Sequence, residues 1–306
     1  MDSLRSAGFE EAEEALRLFL ADGRFESSGA FITDLDGTAV LEREGRIFLP
    51  PEIERGLATV RHRGRPVVAN TLRFPRSVIE VFGAEWHRAT GADLPLVSLK
   101  GSQVGTIRRA SDGSTTFEEW FAAPLTDAEI DEVLVGVDGL VDSGVDDLLV
   151  FHYPRDWRKG EQIWTPVAGR IGHVRSKYRS ASHVHSSRIH ELRHVLLAEP
   201  LCMIFLLVDA PQDQLMAYQH TAQTSFVTRR GVDKRSGAEA IATRMSFDLS
   251  ASIGSGDAPT DNFLAAVGFA IIVGNQELDF KGRAHTTRVA DTAELGRLLS
   301  VIGHTL

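Results

Sequence analysis

The chain has 306 residues, with 43% hydrophobic and 25% charged side chains, a composition typical of a soluble globular protein and a length sufficient for two domains. Acidic residues outnumber lysine and arginine by 42 to 33, and the net charge of −9 argues against nucleic acid or an anionic membrane as the main partner. The single cysteine, Cys202, excludes an internal disulfide. Because the sequence also shows no signal-peptide pattern and no membrane-length apolar run, we expect a cytoplasmic protein.

The first predicted element is an amphipathic helix over residues 9–21, whose apolar side chains recur at helical spacing. We assign it to an N-terminal helical extension, residues 1–29. Such a helix can cover the core or join two subunits, so both a monomer and a homodimer remain open.

Strands and helices then alternate over residues 30–34, 52–63, 66–70, 75–82 and 95–99. This alternation predicts an α/β fold with a doubly wound, Rossmann-like parallel sheet. In such sheets ligands bind beyond the carboxyl ends of the strands, so we expect the functional residues at that edge.

The stretch 104–226 is predicted to be an inserted α+β cap domain for substrate recognition, because further core elements follow it. Its predicted elements are helix 126–137, strand 147–152, helix 187–197, strand 202–208 and helix 211–218. Core strands resume at 247–253 and 269–273, and a final helix covers 292–302. The catalytic core is thus predicted to comprise residues 30–103 and 227–306.

Two aspartates, Asp34 and Asp36, directly follow the first predicted strand, and Gly37 marks a turn out of the sheet. One carboxylate of such a pair can attack an electrophile while the other transfers protons, and both can bind a hard divalent cation. A strand that ends in an Asx-type turn gives the same pattern, so this segment alone leaves chemistry and a structural turn open.

Three further segments follow in a fixed order: Asn70-Thr71-Leu72-Arg73, Gly231-Val232-Asp233-Lys234 and Gly256-Asp257-Ala258-Pro259-Thr260-Asp261. Together with Asp-x-Asp-Gly-Thr, they resemble the four motifs of the haloacid dehalogenase-like (HAD) superfamily. The match is greatest to its Cof-type and sucrose-phosphate-phosphatase-like branch. The resemblance covers about residues 30–300.

This resemblance implies a Mg²⁺-dependent phosphatase that hydrolyses a small phosphorylated metabolite, such as a sugar phosphate or a glycosyl phosphoglycerate, through an aspartyl phosphate. Asp34 would be the nucleophile and Asp36 the general acid and base. Thr71 and Lys234 would bind the phosphate. The implied metal ligands are Asp34, the backbone carbonyl of Asp36 and Asp257, with Asp261 supporting them from behind.

The chain departs from the family pattern at three places. Leu72 replaces a common glycine, Thr260 replaces a frequent asparagine, and Lys100-Gly101 stands where Asn-Gly often follows the third strand. No primary catalytic group is lost. All three positions affect substrate positioning, so the substrate of a relative does not transfer.

Residues 155–193 carry nine lysines and arginines against three acidic residues, a local charge of +6 within an acidic chain. The stretch is either a solvated loop face or a cap surface that meets an anionic or sugar substrate. On the second interpretation the predicted substrate-binding residues are Arg158, Arg175 and Arg179 of the cap, with Asn70 and Arg73 of the core.

Three alternative functions match parts of the sequence. A phosphomutase would share every motif and return the phosphoryl group to its substrate, and a sensor would keep the pocket without turnover. The segment His190-Glu191-Leu192-Arg193-His194 matches a zinc-protease pattern. The charge of Arg193 and the poor placement of Glu199 as a third ligand favour a chance match.

Overall fold

The computed structural model describes residues 2–43, 46–208 and 224–305. Ten α-helices occur in these ranges: α1 Asp2–Leu20, α2 Arg24–Ser28, α3 Pro51–His62, α4 Pro75–Val78, α5 Ala84–Thr90, α6 Asp127–Asp142, α7 Ile171–Lys177, α8 Ile189–Leu197, α9 Lys234–Met245 and α10 Thr292–Thr305. The predicted helix 211–218 lies outside the described residues. No helix within these ranges has the length and apolarity needed to cross a membrane.

Fifteen β-strands occur in the same ranges: β1 Phe31–Thr33, β2 Leu41–Arg43, β3 Arg46–Phe48, β4 Val67–Asn70, β5 Leu94–Ser98, β6 Gln103–Arg109, β7 Thr115–Ala122, β8 Leu149–Pro154, β9 Glu161–Trp164, β10 Ala181–His185, β11 Leu201–Leu207, β12 Thr224–Val227, β13 Ile253–Gly256, β14 Phe269–Val273 and β15 His285–Val289.

Eight of these strands form the main sheet, in the order β15-β14-β13-β1-β4-β5-β6-β7. The first six are parallel, β6 is antiparallel to β5, and β7 is antiparallel to β6. The α/β fold predicted from the alternation of elements is confirmed, with β1 at the centre of the parallel part.

Apolar residues of the central strands divide between two cores, one on each face of the main sheet. Phe31 and Val67 belong to a cluster with α1, α3 and α10, whereas Ile32 and Val68 belong to a cluster with α9. Since alternate residues of a strand point to opposite faces, this division places helices on both sides of the sheet. The N-terminal helix α1 covers the first face.

The predicted boundary of the cap at residue 104 falls within a strand of the main sheet. Strand β6 pairs with β5, and β7 pairs with β6, so the segment up to residue 122 extends the sheet. Strands β5, β6 and β7 follow one another without an intervening helix, as antiparallel strands can. The sequence therefore carries no signal that marks where the main sheet ends and an insertion begins. Apart from this boundary, the division into N-terminal extension, catalytic core and cap remains a prediction.

A second sheet has the order β10-β9-β8-β11-β12 and is built from strands within residues 149–207 and 224–227. Helices α6 and α8 cover one of its faces. The other face packs against Leu72, Phe74 and Leu99, which follow β4 and β5 of the main sheet. These contacts place the second sheet over the carboxyl edge of the main sheet.

Two parts of the chain differ from the predicted elements. The strand predicted at 247–253 begins only at Ile253, because Asp248 caps a 3₁₀ turn over Leu249–Ala251 before the chain pairs with Phe31. The interval 153–186, in which no helix or strand was predicted, contains β9, α7 and β10. All three elements of this interval are short, which weakens their periodic signal.

Candidate active site

The predicted motif residues converge at the carboxyl edge of three neighbouring strands. Thr33 in β1 lies opposite Ser255 in β13 on one side and Ala69 in β4 on the other. Each strand ends just beyond this level, and the loops that follow carry Asp34, Asp257 and Thr71. The register of the sheet therefore brings together residues that are far apart in the sequence.

Helix α9 supplies the lysine at its first residue. Asp233 caps the helix, accepting a hydrogen bond from the backbone N–H of Ser236 at 2.8 Å. Gly237 allows the helix to approach β5 closely, because a Cβ atom there would lie 2.4 Å from a methyl of Val97. Capping and close packing together direct the Lys234 side chain towards the carboxyl edge.

The Lys234 ammonium donates to Asp34 Oδ1 and to Asp261 Oδ1, both at 2.6 Å. Lys234 is 1% exposed, and the two carboxylate side chains are 7% and 0% exposed. Burial opposes the charged form of Lys234, but the two adjacent carboxylates raise its pKa above the ordinary value. The lysine therefore remains an ammonium and neutralises charge beside Asp34.

Asp34, Asp257 and Asp261 each offer a carboxylate oxygen, and these oxygens lie within 4.8 Å of one another. Hard cations such as Mg²⁺ prefer oxygen ligands of this kind, so the residues fit a metal site. Asp257 is held in place by the Thr38 hydroxyl, which donates to its Oδ1 at 2.8 Å.

Asp261 accepts hydrogen bonds at both of its carboxylate oxygens. Oδ1 accepts from Lys234, and Oδ2 accepts from the backbone N–H groups of Asp257 and Ala258, both at 2.9 Å. Asp261 thus fixes the lysine and the loop that carries Asp257. This geometry fits the supporting role predicted for it.

The electrostatics of the site favour a cation. Burial raises the pKa of Asp34 well above its ordinary value, with further repulsion from the neighbouring aspartates, and burial raises the pKa of Asp257 to about 6. With all four carboxylates ionised, the aspartates of the site would carry four negative charges against the two positive charges of Lys234 and Arg73. A divalent cation would balance this excess and keep Asp34 ionised.

Asp36 lies apart from the other carboxylates and forms an ion pair with Arg73. The guanidinium donates from Nε to Oδ2 at 2.8 Å and from Nη2 to Oδ1 at 2.5 Å. Its Nη1 donates to Ser77 at 2.9 Å. Arg73 is 1% exposed, whereas the Asp36 side chain is 31% exposed. Arg73 was predicted to bind substrate, and the structure places its guanidinium on Asp36.

The other core residues predicted to contact phosphate or substrate are both fully buried. The Thr71 hydroxyl accepts a hydrogen bond from the backbone N–H of Arg73 at 3.2 Å. The Asn70 amide donates to the backbone carbonyl of Lys234 at 2.9 Å. Asn70 therefore holds the start of α9 in place, and its predicted contact with substrate stays a prediction.

The three cap arginines lie on the surface. Arg175 and Arg179 are exposed. The Arg158 guanidinium lies over the Trp157 ring, 4.9 Å from its centroid, and lines a cavity of about 520 Å³ that includes none of the motif residues. Much of the basic stretch is neutralised by ion pairs: Arg155–Glu119, Lys159–Glu199, Arg170–Asp147, Arg188–Glu191 and Arg193–Asp131.

The zinc-protease pattern lies on α8 at the outer surface of the second sheet. Glu191 accepts a hydrogen bond from the backbone N–H of Arg188 at the start of the helix, and Arg193 pairs with Asp131. Both histidines of the pattern, His190 and His194, are exposed. The glutamate therefore has a capping role in this helix.

No protein-family model matches the sequence, and no curated protein matches it. Solved structures do match over most of the chain. A HAD subclass IIB sugar phosphatase has a TM-score of 0.63 at 13% identity, over 90% of this chain and 99% of that chain. A HAD phosphatase from Bacteroides thetaiotaomicron has a TM-score of 0.61 at 16% identity, over 91% of this chain and 96% of that chain. A HAD-like hydrolase from B. subtilis has a TM-score of 0.60 at 15% identity, over 88% of this chain and 98% of that chain. The chain has the HAD fold.

Two side chains that support the candidate site were not predicted from the sequence. Thr38 holds Asp257, and Ser77 holds the guanidinium of Arg73. Thr38 is the last residue of the first motif, so its position already pointed to the site. Ser77 lies in α4 and has no sequence signal of its own, because a serine in a short helix is common. At these identities the likeness is one of fold, so the function has to be inferred from the site.

Proposed function

We propose that the protein is a Mg²⁺-dependent phosphatase that hydrolyses a phosphate monoester of a small metabolite, with Asp34 as the nucleophile. The observation that carries the proposal is the buried ammonium of Lys234, which bridges Asp34 and Asp261 at 2.6 Å beside Asp257. The phosphorus atom of a phosphate ester is shielded by the negative charge of its oxygens. A buried ammonium can neutralise that charge while an adjacent carboxylate attacks the phosphorus.

In the first step an Asp34 oxygen would form a bond to phosphorus while the bond from phosphorus to the ester oxygen breaks. Asp36 would give a proton to the departing oxygen, which leaves as an alcohol. The Lys234 ammonium faces the attacking carboxylate and would offset the charge of the phosphoryl group. The product on the enzyme would be an aspartyl phosphate at Asp34.

In the second step water would attack the phosphorus and give up its proton to Asp36. The bond between Asp34 and phosphorus would break, which restores the Asp34 carboxylate and releases inorganic phosphate. Arg73 would hold Asp36 in one orientation through both proton transfers, because its two parallel hydrogen bonds fix the plane of the carboxylate.

The metal would be held by Asp34 and Asp257, with the Asp36 carbonyl as the predicted third protein ligand. When bound, Mg²⁺ supplies positive charge that stabilises the phosphoryl oxygens in the transition state. Asp261 and Thr38 would keep the Asp257 loop in position for this role.

The test is release of inorganic phosphate from p-nitrophenyl phosphate with Mg²⁺ and after chelation. We expect Asp34→Asn to lower turnover by more than about a thousandfold, as for other nucleophile substitutions. Asp138→Asn, the same change at an exposed position on α6, is the matched control and should retain activity. After acid quenching of a reaction with an ester that is radiolabelled in its phosphoryl group, label should remain on the wild-type protein and none on Asp34→Asn.

A panel of sugar phosphates and glycosyl phosphoglycerates would then identify the substrate class. Appearance of an isomeric sugar phosphate in place of free phosphate would indicate the phosphomutase. Undiminished turnover by Asp34→Asn would contradict the proposed mechanism.

A further inference from the structure

The turn after β5 has an unusual backbone conformation. Three successive residues have positive φ angles: 48° at Leu99, 58° at Lys100 and 99° at Gly101. Glycine and asparagine adopt this left-handed conformation far more readily than leucine or lysine. Strained positions of this kind cluster at functional sites, which draws attention to the lysine.

This turn lies directly against the candidate active site. The backbone N–H of Lys100 donates to the carbonyl of Thr71 at 3.2 Å, and the N–H of Leu99 donates to the carbonyl of Arg73 at 3.1 Å. A Cβ atom at Gly101 would lie 2.1 Å from the carbonyl oxygen of Asp233, the cap of α9. The turn therefore lies between the second and third motifs.

The Lys100 side chain extends from this turn towards the second sheet. Its ammonium contacts the backbone carbonyl of Phe226 in β12 at 3.4 Å. Within the part of the chain that the structure describes, Lys100 has no carboxylate within ion-pair distance. Partial burial lowers the pKa of Lys100, and the Asp233 carboxylate opposes that shift.

Burial of an ammonium costs solvation free energy, and one long contact to a carbonyl offsets only a small part of that cost. Its charge is available to an anion at the junction of the two sheets, close to Thr71 and to the start of α9. The cap arginines are less suited to this role, because they lie on the exposed surface and several of their neighbours already have carboxylate partners.

We propose that the Lys100 ammonium binds a second anionic group of the substrate, a carboxylate or a second phosphate, while the scissile phosphate lies at Asp34. The inference rests on the proposed phosphatase function and specifies its substrate class as phosphorylated acids or bisphosphates. A substrate of this class would approach the site with its reacting phosphate at the main sheet and its second anion beneath the second sheet.

The test uses two matched pairs of esters that differ in one anionic group. 3-Phosphoglycerate against glycerol 3-phosphate tests the carboxylate, and fructose 1,6-bisphosphate against fructose 6-phosphate tests the second phosphate. For wild type we expect kcat/KM to favour the more anionic member of at least one pair by roughly ten- to a hundredfold, the effect of one charge-assisted hydrogen bond. The preference should reside mainly in KM.

Lys100→Gln should abolish this preference, so that the ratio of the two kcat/KM values is about one. Lys100→Arg should retain part of the preference. The matched control is Lys281→Gln, the same change at an exposed lysine, which should keep the wild-type preference. Lys100→Asn is the check on folding, because asparagine tolerates the left-handed conformation better. This variant should melt no lower than wild type while losing the preference.

Several outcomes are decisive. A wild-type enzyme that hydrolyses both members of each pair equally, or a Lys100→Gln variant that keeps the wild-type preference, would overturn the inference and leave the phosphatase proposal intact. Failure of the wild type to release phosphate from any ester, p-nitrophenyl phosphate included, would instead overturn the proposed function. The pair that shows the preference distinguishes a carboxylate from a second phosphate.

Discussion

Arg73 is a buried arginine that forms a two-point ion pair with Asp36, the residue predicted to transfer protons. Both carboxylate oxygens accept hydrogen bonds, at 2.8 and 2.5 Å, and Ser77 accepts a third from the same guanidinium. Two parallel bonds fix the orientation of a carboxylate better than one, and lysine cannot reproduce them. Arg73 thereby links the second motif to the first.

We expect Arg73→Lys to lower kcat by about ten- to a hundredfold, because Asp36 keeps a positive neighbour but loses its fixed orientation. The KM for p-nitrophenyl phosphate should change little. Steady-state kinetics of the purified variant measure both quantities. Arg76→Lys in α4 is the matched control, since Arg76 is exposed and its hydrogen-bond partners among the described residues are Glu80 and Ser182. A large rise in KM with unchanged kcat would favour the earlier prediction that Arg73 binds substrate.

A second prediction concerns the pH dependence of metal binding. Burial, with repulsion from Asp261, raises the pKa of Asp257 from 3.8 to about 6. Because Mg²⁺ binds the carboxylate, protons compete with it as the pH falls through this value. The rise in melting temperature caused by Mg²⁺ should therefore be complete at about pH 7.5 and largely lost at about pH 5.

The metal-free protein should show the opposite trend. A carboxyl group whose pKa is higher in the folded state than in the unfolded state favours folding when it is protonated. The contribution of Asp257 to stability is therefore present below the unfolded value of 3.8 and is lost as the pH rises to about 6. Asp257→Asn should weaken both trends in thermal melts. A Mg²⁺ effect that is constant from about pH 5 to 8 would contradict the assignment of Asp257 as a ligand.

A third prediction concerns stability at Lys234. Replacing Lys234 by methionine would leave Asp34 and Asp261 buried without their cation, and breaking a buried ion pair in this way costs about 3–5 kcal/mol. Urea denaturation at about pH 7 measures the loss, and lowering the pH should recover part of it by protonating the carboxylates. Lys281→Met, at an exposed lysine, should change the free energy of unfolding by less than about 0.5 kcal/mol.

The double variant Lys234→Met with Asp261→Asn tests the cause of that loss. If the cost comes from unpaired buried charge, removing one carboxylate should restore part of the free energy of unfolding. Additive losses in the two single variants and the double variant would indicate a packing effect instead.

The sequence was sufficient to predict that Asp34 and Thr71 lie at one edge of a parallel sheet, because the first and second motifs each follow an apolar strand. Asp34 and Thr71 follow β1 and β4, and parallel strands bring their carboxyl ends to one edge. The contacts of Arg73 could not be predicted, because an arginine three residues beyond a strand can equally point to solvent, to substrate or to a neighbouring carboxylate. The same limit applies to Asn70, whose amide bonds a backbone carbonyl 164 residues away. Such partners depend on side-chain directions that strand spacing does not fix.

The last prediction concerns the packing that positions Lys234. Gly237 lies one turn into α9, where an added Cβ would be 2.4 Å from Val97 Cγ1 and 2.9 Å from the Cα of Gly101. Backbone at that distance cannot move aside cheaply, so Gly237→Ala should lower the free energy of unfolding by about 1–3 kcal/mol and shift Lys234 away from Asp34, lowering kcat. Gly136→Ala is the matched control, because Gly136 lies within α6 with no atom within 4 Å of the added Cβ. There the higher helix propensity of alanine should raise stability by about 0.5–1 kcal/mol and leave kcat unchanged. Denaturant melts and steady-state rates of the two variants measure the contrast, and a Gly237→Ala variant as stable and active as Gly136→Ala would refute the role of this close approach.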